Sequence, residues 1–474
     1  MSHEQSHLLL PADSAWLALE RPENPMTITV MLRVDGLTAP RFREFLRVYW
    51  MAWERFRYLP VKRSSGWWWE PDPLFDVHHH LGVVIDHFTP ESLQEWVSAR
   101  LNQPLPLDRP RWKFWLAPNA RGGAAVLLRI HHCYADGLSL LGIFDRLCPP
   151  SPQQHPAIYG ASETADLSRW TAAAKTWLSQ LMAPNQLMTP KESEEEAQGV
   201  AGVDEFGGNQ WQDAGRLLER VAQKSLKLVH QFSEFLVEPE DTATDLRRPL
   251  LGRRHCRWSE PVPLERFRSI ARATKVTIND VLLSCVAAAV RTRLGIDGTE
   301  LDQAVLHAAV PVDIRSRLPD ELKPAAGALG NYFGTVFVPL PVDGKSPLER
   351  LYRIKHETRR LKKSWQPGIA WGLAASATVV PEPWRKPLAD VFYRKASAVV
   401  SNVPGTAGAR YIAGCRITGQ MFWVPQAGDI GLGISIISYA GQVQFGVVAD
   451  EAVLAVPEDF LNDCLRELAR FPGA

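Results

Sequence analysis

The 474-residue sequence predicts a mixed α/β protein built as two lobes joined by a linker. Each half mixes β-branched, strand-like runs with amphipathic, helix-like segments, and an acidic stretch containing glycine separates the halves. At ~100–200 residues per domain, the length suggests two or three domains or one large two-lobed unit. The predicted boundaries are 1–190 for the first lobe, 191–210 for the linker and 211–474 for the second lobe. Two such lobes are expected to hold a ligand site at their interface.

Both lobes combine the two kinds of element in similar proportion. We predict strands where apolar runs end in turn signals, and helices where apolar residues recur at three- and four-residue spacing. In the first lobe these are strands Met26–Val34 and Ala124–Ile130, and helices Pro40–Arg57, Glu91–Leu101, Leu138–Leu147 and Leu167–Met182. In the second lobe they are helices Arg216–Leu236, Pro263–Thr274 and Asn279–Leu294, and strands Val305–Val312, Thr335–Leu340, Ala398–Ser401, Ile434–Tyr439 and Gln442–Val448.

The composition excludes several classes of protein. Hydrophobic residues make up 46% of the chain and charged residues 22%, which rules out wholesale disorder. The 53 Lys and Arg residues balance 52 Asp and Glu residues, so nucleic acid is not an expected partner. Local basic runs such as Arg359-Arg360 are typical of a solvated face, with a phosphorylated cofactor or an anionic lipid surface as the alternative partner.

Cysteine usage and the N-terminal residues predict a cytoplasmic protein. The 6 cysteines are scattered without a C-x-x-C pair, which indicates free thiols in a reducing compartment. The first residues lack the pattern of a secretory signal, and apolar runs such as Val281–Val290 fall far short of the ~20 residues that span a bilayer. We therefore expect contact with the inner face of the membrane or with lipid inclusions to be peripheral.

The sharpest local feature is the heptapeptide His131–Gly137, with the sequence HHCYADG. It follows a predicted buried strand and precedes an apolar helix, so its titratable groups lie at a turn where a scaffold presents them to a cleft. An unperturbed histidine pKa near 6.5 suits this residue to take a proton from a hydroxyl and to return it to a leaving group. The motif therefore favours acid–base catalysis.

Other interpretations of these histidines carry less support. A metal site at the motif or at the tract His78–His80 lacks a matched ligand spacing, so no metal is predicted. A purely structural role for His131 and His132 is the second alternative. The chain shows no G-x-S-x-G, P-loop or G-x-G-x-x-G pattern, which removes the usual support for hydrolase, kinase and dinucleotide-binding functions.

The pattern H-H-x-x-x-D-G resembles the active-site motif of the CoA-dependent acyltransferase superfamily, which includes chloramphenicol acetyltransferase and peptide-synthetase condensation domains. The rest of the chain resembles the bacterial wax ester synthase/diacylglycerol acyltransferase family, from about residue 8 to 465. The segments that carry this likeness occur in the family's order, and they are Leu10–Leu17, Glu20–Met26, Pro106–Trp112, Asn279-Asp280, Val310–Arg315, Gly330-Asn331 and Ser401–Gly405. In the last segment Pro404-Gly405 follows Val403 directly, where the family often shows another residue before Gly-Pro; this leaves the local turn geometry open.

The resemblance implies a fold and an activity. The fold would be two chloramphenicol-acetyltransferase-like lobes with the active site in a channel between them. The activity would be transfer of a long-chain fatty acyl group from acyl-CoA to a fatty alcohol, to diacylglycerol or to both. Acyl-CoA would be a co-substrate, and no permanently bound cofactor is implied. The alternatives are another CoA- or carrier-dependent acyltransferase of the superfamily, and a lipid-droplet-binding protein without enzymatic activity.

The resemblance also assigns roles to the motif. His132 would be the general base, and His131 would hold the loop through a hydrogen bond. Asp136 would pair with a distant arginine, for which Arg315 is the candidate, and would organise the loop rather than react. Gly137 would allow the backbone to approach the acyl-CoA closely.

Two further sets of residues are candidates in the second lobe. Asn279 would donate to the oxyanion of the tetrahedral intermediate or, alternatively, cap a helix that begins at Asp280, whose own role would be structural. Small and apolar residues would line the pocket for the acyl chain or the alcohol, with core packing as the alternative role, and they are Gly368, Ala370, Trp371 and Leu373.

The 17 tryptophans include the triplet Trp67-Trp68-Trp69. Three consecutive residues cannot all be buried on one face of a regular element, so at least one is expected to face solvent or lipid. Amphipathic indole rings suit the surface of a bilayer or a lipid droplet. We therefore expect the triplet to help the protein dock where water-insoluble acceptors reside.

Overall fold

The computed structural model describes residues 6–85, 87–118, 123–157, 240–296, 300–318, 320, 323–325, 328–362, 390 and 393–472. The predicted helices Leu167–Met182 and Arg216–Leu236 and the linker 191–210 lie outside these residues, so the predicted lobe boundaries stay a prediction. By contact density the chain divides into one unit of Met1–Thr164, Pro239–Arg315 and Pro324–Ala474, and a second of Ala165–Glu238 and Ser316–Lys323. All three described sheets and all of the site contacts below belong to the first unit.

The elements of the first half are three strands of a small sheet, four strands of a larger sheet and four helices. In chain order they are β1 (His7–Leu8), α1 (Pro11–Leu19), β2 (Thr27–Asp35), α2 (Ala39–Val48), β3 (Tyr58–Arg63), β4 (Gly66–Pro71), β5 (Leu81–Val83), α3 (Pro90–Leu101), β6 (Trp112–Pro118), β7 (Gly123–His131) and α4 (Gly137–Leu147). Strands β5 and β6 run parallel, whereas β6, β7 and β2 are antiparallel neighbours.

The elements of the second half are nine described strands, seven of which form one sheet, and four helices. They are β8 (Arg254–Trp258), β9 (Val262–Pro263), α5 (Leu264–Thr274), α6 (Ile278–Ile296), β10 (His307–Asp313), β11 (Phe333–Pro339), α7 (Pro347–Lys362), β12 (Ala398–Pro404), β13 (Tyr411–Ile412), β14 (Cys415–Trp423), β15 (Leu432–Tyr439), β16 (Gln442–Asp450) and α8 (Pro457–Ala469). The strand order is β11-β10-β12-β15-β16-β8, and β9 also pairs with β16. Apolar faces of all four helices pack with this sheet in one buried cluster.

Two strands of the second half complete the sheet of the first half. The six-stranded sheet has the order β13-β14-β2-β7-β6-β5, and β14 pairs with β2 from Trp423 opposite Thr29 to Ile417 opposite Val34. The sequence-based division assigns residues 411–423 to the second lobe, whereas the structure pairs them with the first. Cys415 and Ile417 of β14 pack in the same buried cluster as Ile28 and Leu32 of β2, so the core of the first half receives this strand.

One predicted helix is shorter than its periodicity suggests. The pattern predicts a helix over Pro40–Arg57, but α2 ends at Val48 and two 3₁₀ turns follow. In those turns Trp50, Trp53 and Phe56 are all buried, and the Trp50 and Phe56 rings stack with centroids 4.0 Å apart. Tertiary packing of these large rings therefore overrides the local helical preference.

Strand β12 runs through the unusual Pro404 and stays parallel to β15, with Pro404 opposite Ser438. A β-carbon on Gly405 would overlap the carbonyl oxygen of Ser438. Glycine therefore permits a close backbone approach at the position where the sequence departs from the family pattern.

The tryptophan triplet lies on β4, in the small sheet β1-β4-β3. Trp69 is fully buried and Trp67 is partly buried against the core of the first half. Trp68 is half-buried, donates from its indole nitrogen to Ser65 and lies under the guanidinium of Arg63. Trp67 and Trp69 therefore share the core-facing side of β4, where Trp67 stays partly exposed, and Trp68 lies on the opposite side, as the alternation along a strand requires.

Within the described part of the chain, no single helix is both long and apolar enough to cross a membrane. The pair α5 and α6 meets the criterion of length and composition only when taken together, and it is bent by 99°. Residues of both helices lie in the buried cluster of the second sheet.

Candidate active site

The histidine motif occupies the turn between β7 and α4. Its first residue ends the strand, and the His132 backbone N–H donates to Met26 O on the neighbouring segment. Asp136 is the N-cap of α4, where its carboxylate accepts a hydrogen bond from Ser139 N at 2.7 Å. Aspartate is among the best N-cap residues, so the sequence itself stops the turn and starts the helix here.

His132 is buried, and its ring is held on both sides. The side chain of Asn331 contacts it from one edge, with Oδ1 2.7 Å from His132 Nδ1. The indole of Trp16 stacks on the imidazole with ring centroids 4.0 Å apart, and Phe333 lies 5.6 Å away. These contacts fix the position and the plane of the ring.

The Asn331 amide defines which ring nitrogen of His132 carries the proton. The Asn331 Nδ2 group donates to His132 O at 2.9 Å and to Asp13 Oδ1 at 2.8 Å, so Oδ1 is the atom that faces the ring. An amide oxygen accepts hydrogen bonds and cannot donate them, so His132 Nδ1 must carry the hydrogen. The lone pair is then on Nε2.

Burial keeps His132 neutral. Desolvation lowers the pKa of His132 to about 4, against the opposing effects of the Asp136 charge and of the hydrogen bond to Asn331. At neutral pH the imidazole is therefore a free base rather than an imidazolium. A histidine in this state can accept a proton at Nε2 without first losing one.

His131 points into a different environment. Its Nδ1 accepts a hydrogen bond from Cys133 N at 3.1 Å, and its Nε2 lies 3.4 Å from a carboxylate oxygen of Glu20. Burial lowers the pKa of His131, although the nearby Glu20 carboxylate opposes this shift. Nδ1 therefore holds the loop through a hydrogen bond, whereas Nε2 faces Glu20, which also pairs with Arg111 at 3.3 Å.

Asp136 is saturated by donors and pairs with Arg315. The Arg315 Nη2 atom lies 2.8 Å from both carboxylate oxygens, which confirms the arginine expected from the sequence. Backbone N–H groups of Ser139 and Tyr332 donate to the same carboxylate at 2.7 and 2.9 Å. A carboxylate held by these donors is placed to organise the turn.

Three consecutive residues, Gly330–Tyr332, bind the motif from the second half of the chain. Gly330 O accepts from Asp136 N and from Ser139 Oγ, both at 3.0 Å. The next residue contributes the Asn331 amide to His132, and the third donates its backbone N–H to Asp136. Gly330 has φ +148°, and a β-carbon there would lie 2.7 Å from the Tyr332 ring, so glycine is required.

The helix-cap alternative for Asn279 is wrong. Helix α6 begins at Ile278, so Asn279 lies inside its first turn, and the cap is formed by Thr277. Thr277 Oγ1 accepts from Asp280 N at 3.2 Å, while Asp280 Oδ2 accepts from Thr277 N at 2.8 Å. This reciprocal capping box takes the place that was expected for asparagine.

Asp280 and Asn279 each contact a second segment of the chain. Asp280 is buried in the first turn of α6 and also accepts from Thr358 Oγ1 at 2.7 Å, so it links α6 to α7. Asn279 Oδ1 accepts from Asn402 Nδ2 at 3.4 Å, which joins the Asn-Asp motif to the end of β12.

The space in front of Gly137 is open to a modest side chain. A β-carbon there would meet only Val403 Cγ2, at the ordinary contact distance of 3.9 Å. The described protein atoms therefore do not themselves require glycine at this position. The predicted pocket residues Gly368, Ala370, Trp371 and Leu373 lie outside the described residues.

The tract His78–His80 does not converge on a common point. His78 Nδ1 contacts Asp76 at 2.7 Å near the surface, whereas His80 is buried and contacts Trp112 O at 2.7 Å. Burial lowers the pKa of His80 to about 4. Among the residues that the structure describes, no group of three or more His, Cys, Asp or Glu side chains is placed to hold a metal ion.

Trp16 and Asn331 contact His132 and Asp13 binds Asn331, although no role is predicted for them from the sequence. All three lie in segments that resemble the family, so the signal was present at the level of the segment. The contacts among these side chains could not be predicted from the sequence, because Asn331 is 199 residues from His132 and 318 residues from Asp13 along the chain.

Comparison with known families agrees with the motifs. Residues 9–282 match the model of the wax ester synthase/diacylglycerol acyltransferase catalytic domain, and residues 329–471 match the C-terminal domain of the same family. A protein of Mycobacterium bovis provisionally named diacylglycerol O-acyltransferase is 26% identical over 468 residues, which cover 92% of this chain and 85% of the relative. A further protein of Mycobacterium tuberculosis with that provisional name is 24% identical over 82% of this chain and 77% of its own.

Solved structures share the fold. The wax ester synthase/diacylglycerol acyltransferase from Marinobacter aquaeolei matches with a TM-score of 0.63 and 20% identity, covering 98% of both chains. A starter condensation domain of rhizomide synthetase, solved with C8-CoA, matches with a TM-score of 0.55 and 15% identity over 98% of this chain and 93% of its own. The expected fold of two chloramphenicol-acetyltransferase-like lobes is confirmed by these matches. The chain therefore belongs to the wax ester synthase/diacylglycerol acyltransferase family and is an acyltransferase.

Proposed function

We propose that the protein transfers a long-chain fatty acyl group from acyl-CoA to the hydroxyl of a fatty alcohol, of diacylglycerol or of both, with His132 as the general base. The observation that carries the assignment is the state of His132. It is neutral, it is buried at the end of a strand, and its Nδ1 proton is directed at Asn331, so Nε2 is left as the basic atom.

The proposed reaction has two proton transfers. Nε2 of His132 takes the proton of the acceptor hydroxyl as its oxygen attacks the thioester carbonyl carbon. The tetrahedral intermediate then expels the CoA sulfur, and the imidazolium returns the proton to the departing thiolate. This second transfer is downhill, because thiols ionise near pH 8.5, above the lowered pKa of His132.

The other site residues are assigned supporting roles. Asp136 and Arg315 hold the turn that carries His132, and His131 shapes the same turn. Asn279 stays the candidate donor for the oxyanion of the tetrahedral intermediate, because its Oδ1 is the atom that accepts from Asn402 and its Nδ2 can donate.

The test is an acyl-transfer assay with palmitoyl-CoA and either hexadecanol or diacylglycerol, in which ester and free CoA are both measured. A positioned general base typically contributes ~10²–10⁴-fold, so His132→Ala is expected to lower kcat by at least that factor. His79→Ala is the matched control, because His79 is exposed and distant from the motif in the chain.

Three outcomes separate the possibilities. Loss of both products in His132→Ala and normal activity in His79→Ala support the proposal. Unchanged ester formation in His132→Ala refutes His132 as the base. Acyl transfer that requires an acyl group on a phosphopantetheinyl carrier protein, and fails with acyl-CoA, assigns the chain to carrier-dependent chemistry instead.

We also propose that the protein acts in the cytoplasm, in peripheral contact with the inner face of the membrane or with lipid inclusions. Trp67 and Trp68 support this proposal, because both rings are only partly buried, whereas Trp69 is excluded from any lipid contact by its burial. Replacing Trp67 and Trp68 together with serine is expected to weaken sedimentation with phosphatidylglycerol-containing liposomes. Equal binding by the wild type and the double variant would refute a docking role for these rings.

A further inference from the structure

Two further buried side chains are linked to His132 by hydrogen bonds. Asp13, Asn331 and His132 form a continuous line of hydrogen bonds, and all three side chains are at most 7% exposed. Asp13 Oδ1 accepts two of these bonds from Asn331, one from the backbone N at 3.0 Å and one from Nδ2 at 2.8 Å. Asn331 Oδ1 then accepts from His132 Nδ1 at 2.7 Å.

An asparagine amide is nearly symmetric in shape but opposite in hydrogen-bonding character at its two ends. If the amide were reversed, its oxygen would face Asp13 Oδ1 and His132 O, which are both acceptors. Its NH₂ group would face His132 Nδ1 and would force the ring hydrogen onto Nε2. The reversed amide thus blocks the one atom that the proposed chemistry needs.

Two acceptors favour the productive orientation of the amide, and they differ in strength. His132 O is a neutral carbonyl oxygen, whereas Asp13 presents a carboxylate, and hydrogen bonds to charged groups are roughly twice as strong as neutral ones. Asp13 also anchors the Asn331 backbone through the second bond, so it fixes the position of the residue as well as the direction of its amide.

Asp13 is ionised at pH 8, although burial disfavours its charge. Arg55 Nη1 lies 3.5 Å from Asp13 Oδ2, and Asp13 lies in the first turn of α1, where the helix dipole favours negative charge. Burial raises the pKa of Asp13 to about 6, against the lowering effects of Arg55 and of the Asn331 hydrogen bonds. The carboxylate is therefore ionised at pH 8. The same helix turn carries Trp16, which stacks on His132.

We propose that Asp13 is a positioning residue that acts through the Asn331 amide to hold His132 in the tautomer with its lone pair on Nε2. This arrangement differs from a serine-protease triad, in which the acid binds the histidine directly and selects its tautomer. Here a neutral amide touches the histidine and an acid one step further away sets the direction of that amide. The inference rests on the proposed role of His132 as the base.

The first test measures the tautomer directly in the resting wild-type protein. In the ¹⁵N spectrum of histidine-labelled protein at pH 8, the signal that is lost in His132→Ala is expected to show a protonated Nδ1 and an unprotonated Nε2. A spectrum with the proton on Nε2 would overturn the proposal without any Asp13 variant having to fold.

The second test compares Asp13→Asn with a matched variant of another buried acid. A charge-assisted hydrogen bond contributes ~1.5–3 kcal/mol, so Asp13→Asn is expected to lower kcat by about 10- to 100-fold while KM for acyl-CoA changes less than about threefold. Asp463→Asn removes a buried carboxylate that pairs with Arg293 in the second half of the chain. This control is expected to lose thermal stability but to keep kcat.

The third test asks whether Asp13 works through Asn331. Asn331→Ala removes the amide, so adding Asp13→Asn to it is expected to cause no further loss of kcat. Multiplicative losses in the double variant would show an independent role and would overturn the proposal. If His132→Ala is inactive while Asp13→Asn keeps full kcat, the positioning role of Asp13 is refuted and His132 remains the general base. If His132→Ala is active, the role of His132 as the general base is refuted.

Discussion

Removing the guanidinium of Arg315 is the most direct test of whether Asp136 organises the catalytic turn. In Arg315→Ala the Asp136 carboxylate loses a donor that lies 2.8 Å from both of its oxygens. Ser139 Oγ loses a contact of 2.8 Å to the same nitrogen. The carboxylate stays buried, at 3% exposure, so it cannot recover this interaction from bulk water.

The expected cost follows from the remaining contacts. Breaking a buried ion pair by removing one partner typically costs ~3–5 kcal/mol. Asp136 keeps the backbone donors of Ser139 and Tyr332, and the Arg315 side chain is 23% exposed, so we expect a smaller loss of about 2–3 kcal/mol. An unfolding entropy of ~2.1 cal/mol/K per residue amounts to about 1 kcal/mol/K for this chain, so Tm is expected to fall by about 2–3 °C.

The assay is scanning calorimetry on the two single variants Arg315→Ala and Asp136→Asn and on the double variant. Because the two side chains interact, the double variant is expected to be less destabilised than the sum of the single variants. Arg353→Ala is the control, since Arg353 pairs with Asp343 at the surface and such pairs contribute ~0–1 kcal/mol. An unchanged Tm in Arg315→Ala, or strictly additive losses, would refute the organising role.

Three further predictions concern parts of the fold that support the site. The pKa of His80 is lowered to about 4 in the folded protein and is near 6.5 in the unfolded chain, so the unfolded chain binds the proton first as the pH falls. Acidification from pH 6.5 to pH 4 is therefore expected to lower the free energy of unfolding by about 3 kcal/mol. A His80→Gln variant is expected to escape this loss, as measured by urea unfolding across the same pH range. Gly405→Ala is expected to lower Tm because its β-carbon overlaps the Ser438 carbonyl oxygen, whereas Gly408→Ala, with no atom within 4 Å, leaves Tm nearly unchanged; equal effects in calorimetry would contradict this. Thr277→Ala removes one half of the capping box of α6 and is expected to cost about 1 kcal/mol in urea unfolding, and a loss below a few tenths would count against the cap.

Local patterns were sufficient for most of the regular elements. The helix predicted over Glu91–Leu101 is α3, and the strand predicted over Gln442–Val448 is β16, each within a few residues of its observed bounds. The long helix predicted over Pro40–Arg57 breaks after Val48, because its aromatic residues bury as a cluster that a continuous helix cannot form. Periodicity reports which residues face the core, and it does not report the shape of the core that receives them.

The same local patterns also could not predict that β14 joins the sheet of the first half. The alternation in Cys415–Trp423 predicts a strand with two faces, but nothing in that alternation names the partner strand. Pairing of β14 with β2 joins residues nearly 400 positions apart, such as Ile417 and Val34. A division of the chain by sequence order therefore misassigns a strand that crosses between the lobes.

The identity of the candidate base could be predicted from the sequence, whereas its protonation state could not. His132 and Asp136 were predictable because the motif is contiguous and its turn is short, so residue type and spacing alone bring them together. The protonation state of His132 was not, because it depends on burial by Trp16 and on an amide 199 residues away. A histidine with an ordinary pKa near 6.5 and an undefined tautomer would satisfy the same motif. The motif therefore identifies the candidate residue, whereas the packing of Gly330–Tyr332 against it decides which of its ring nitrogens carries the lone pair.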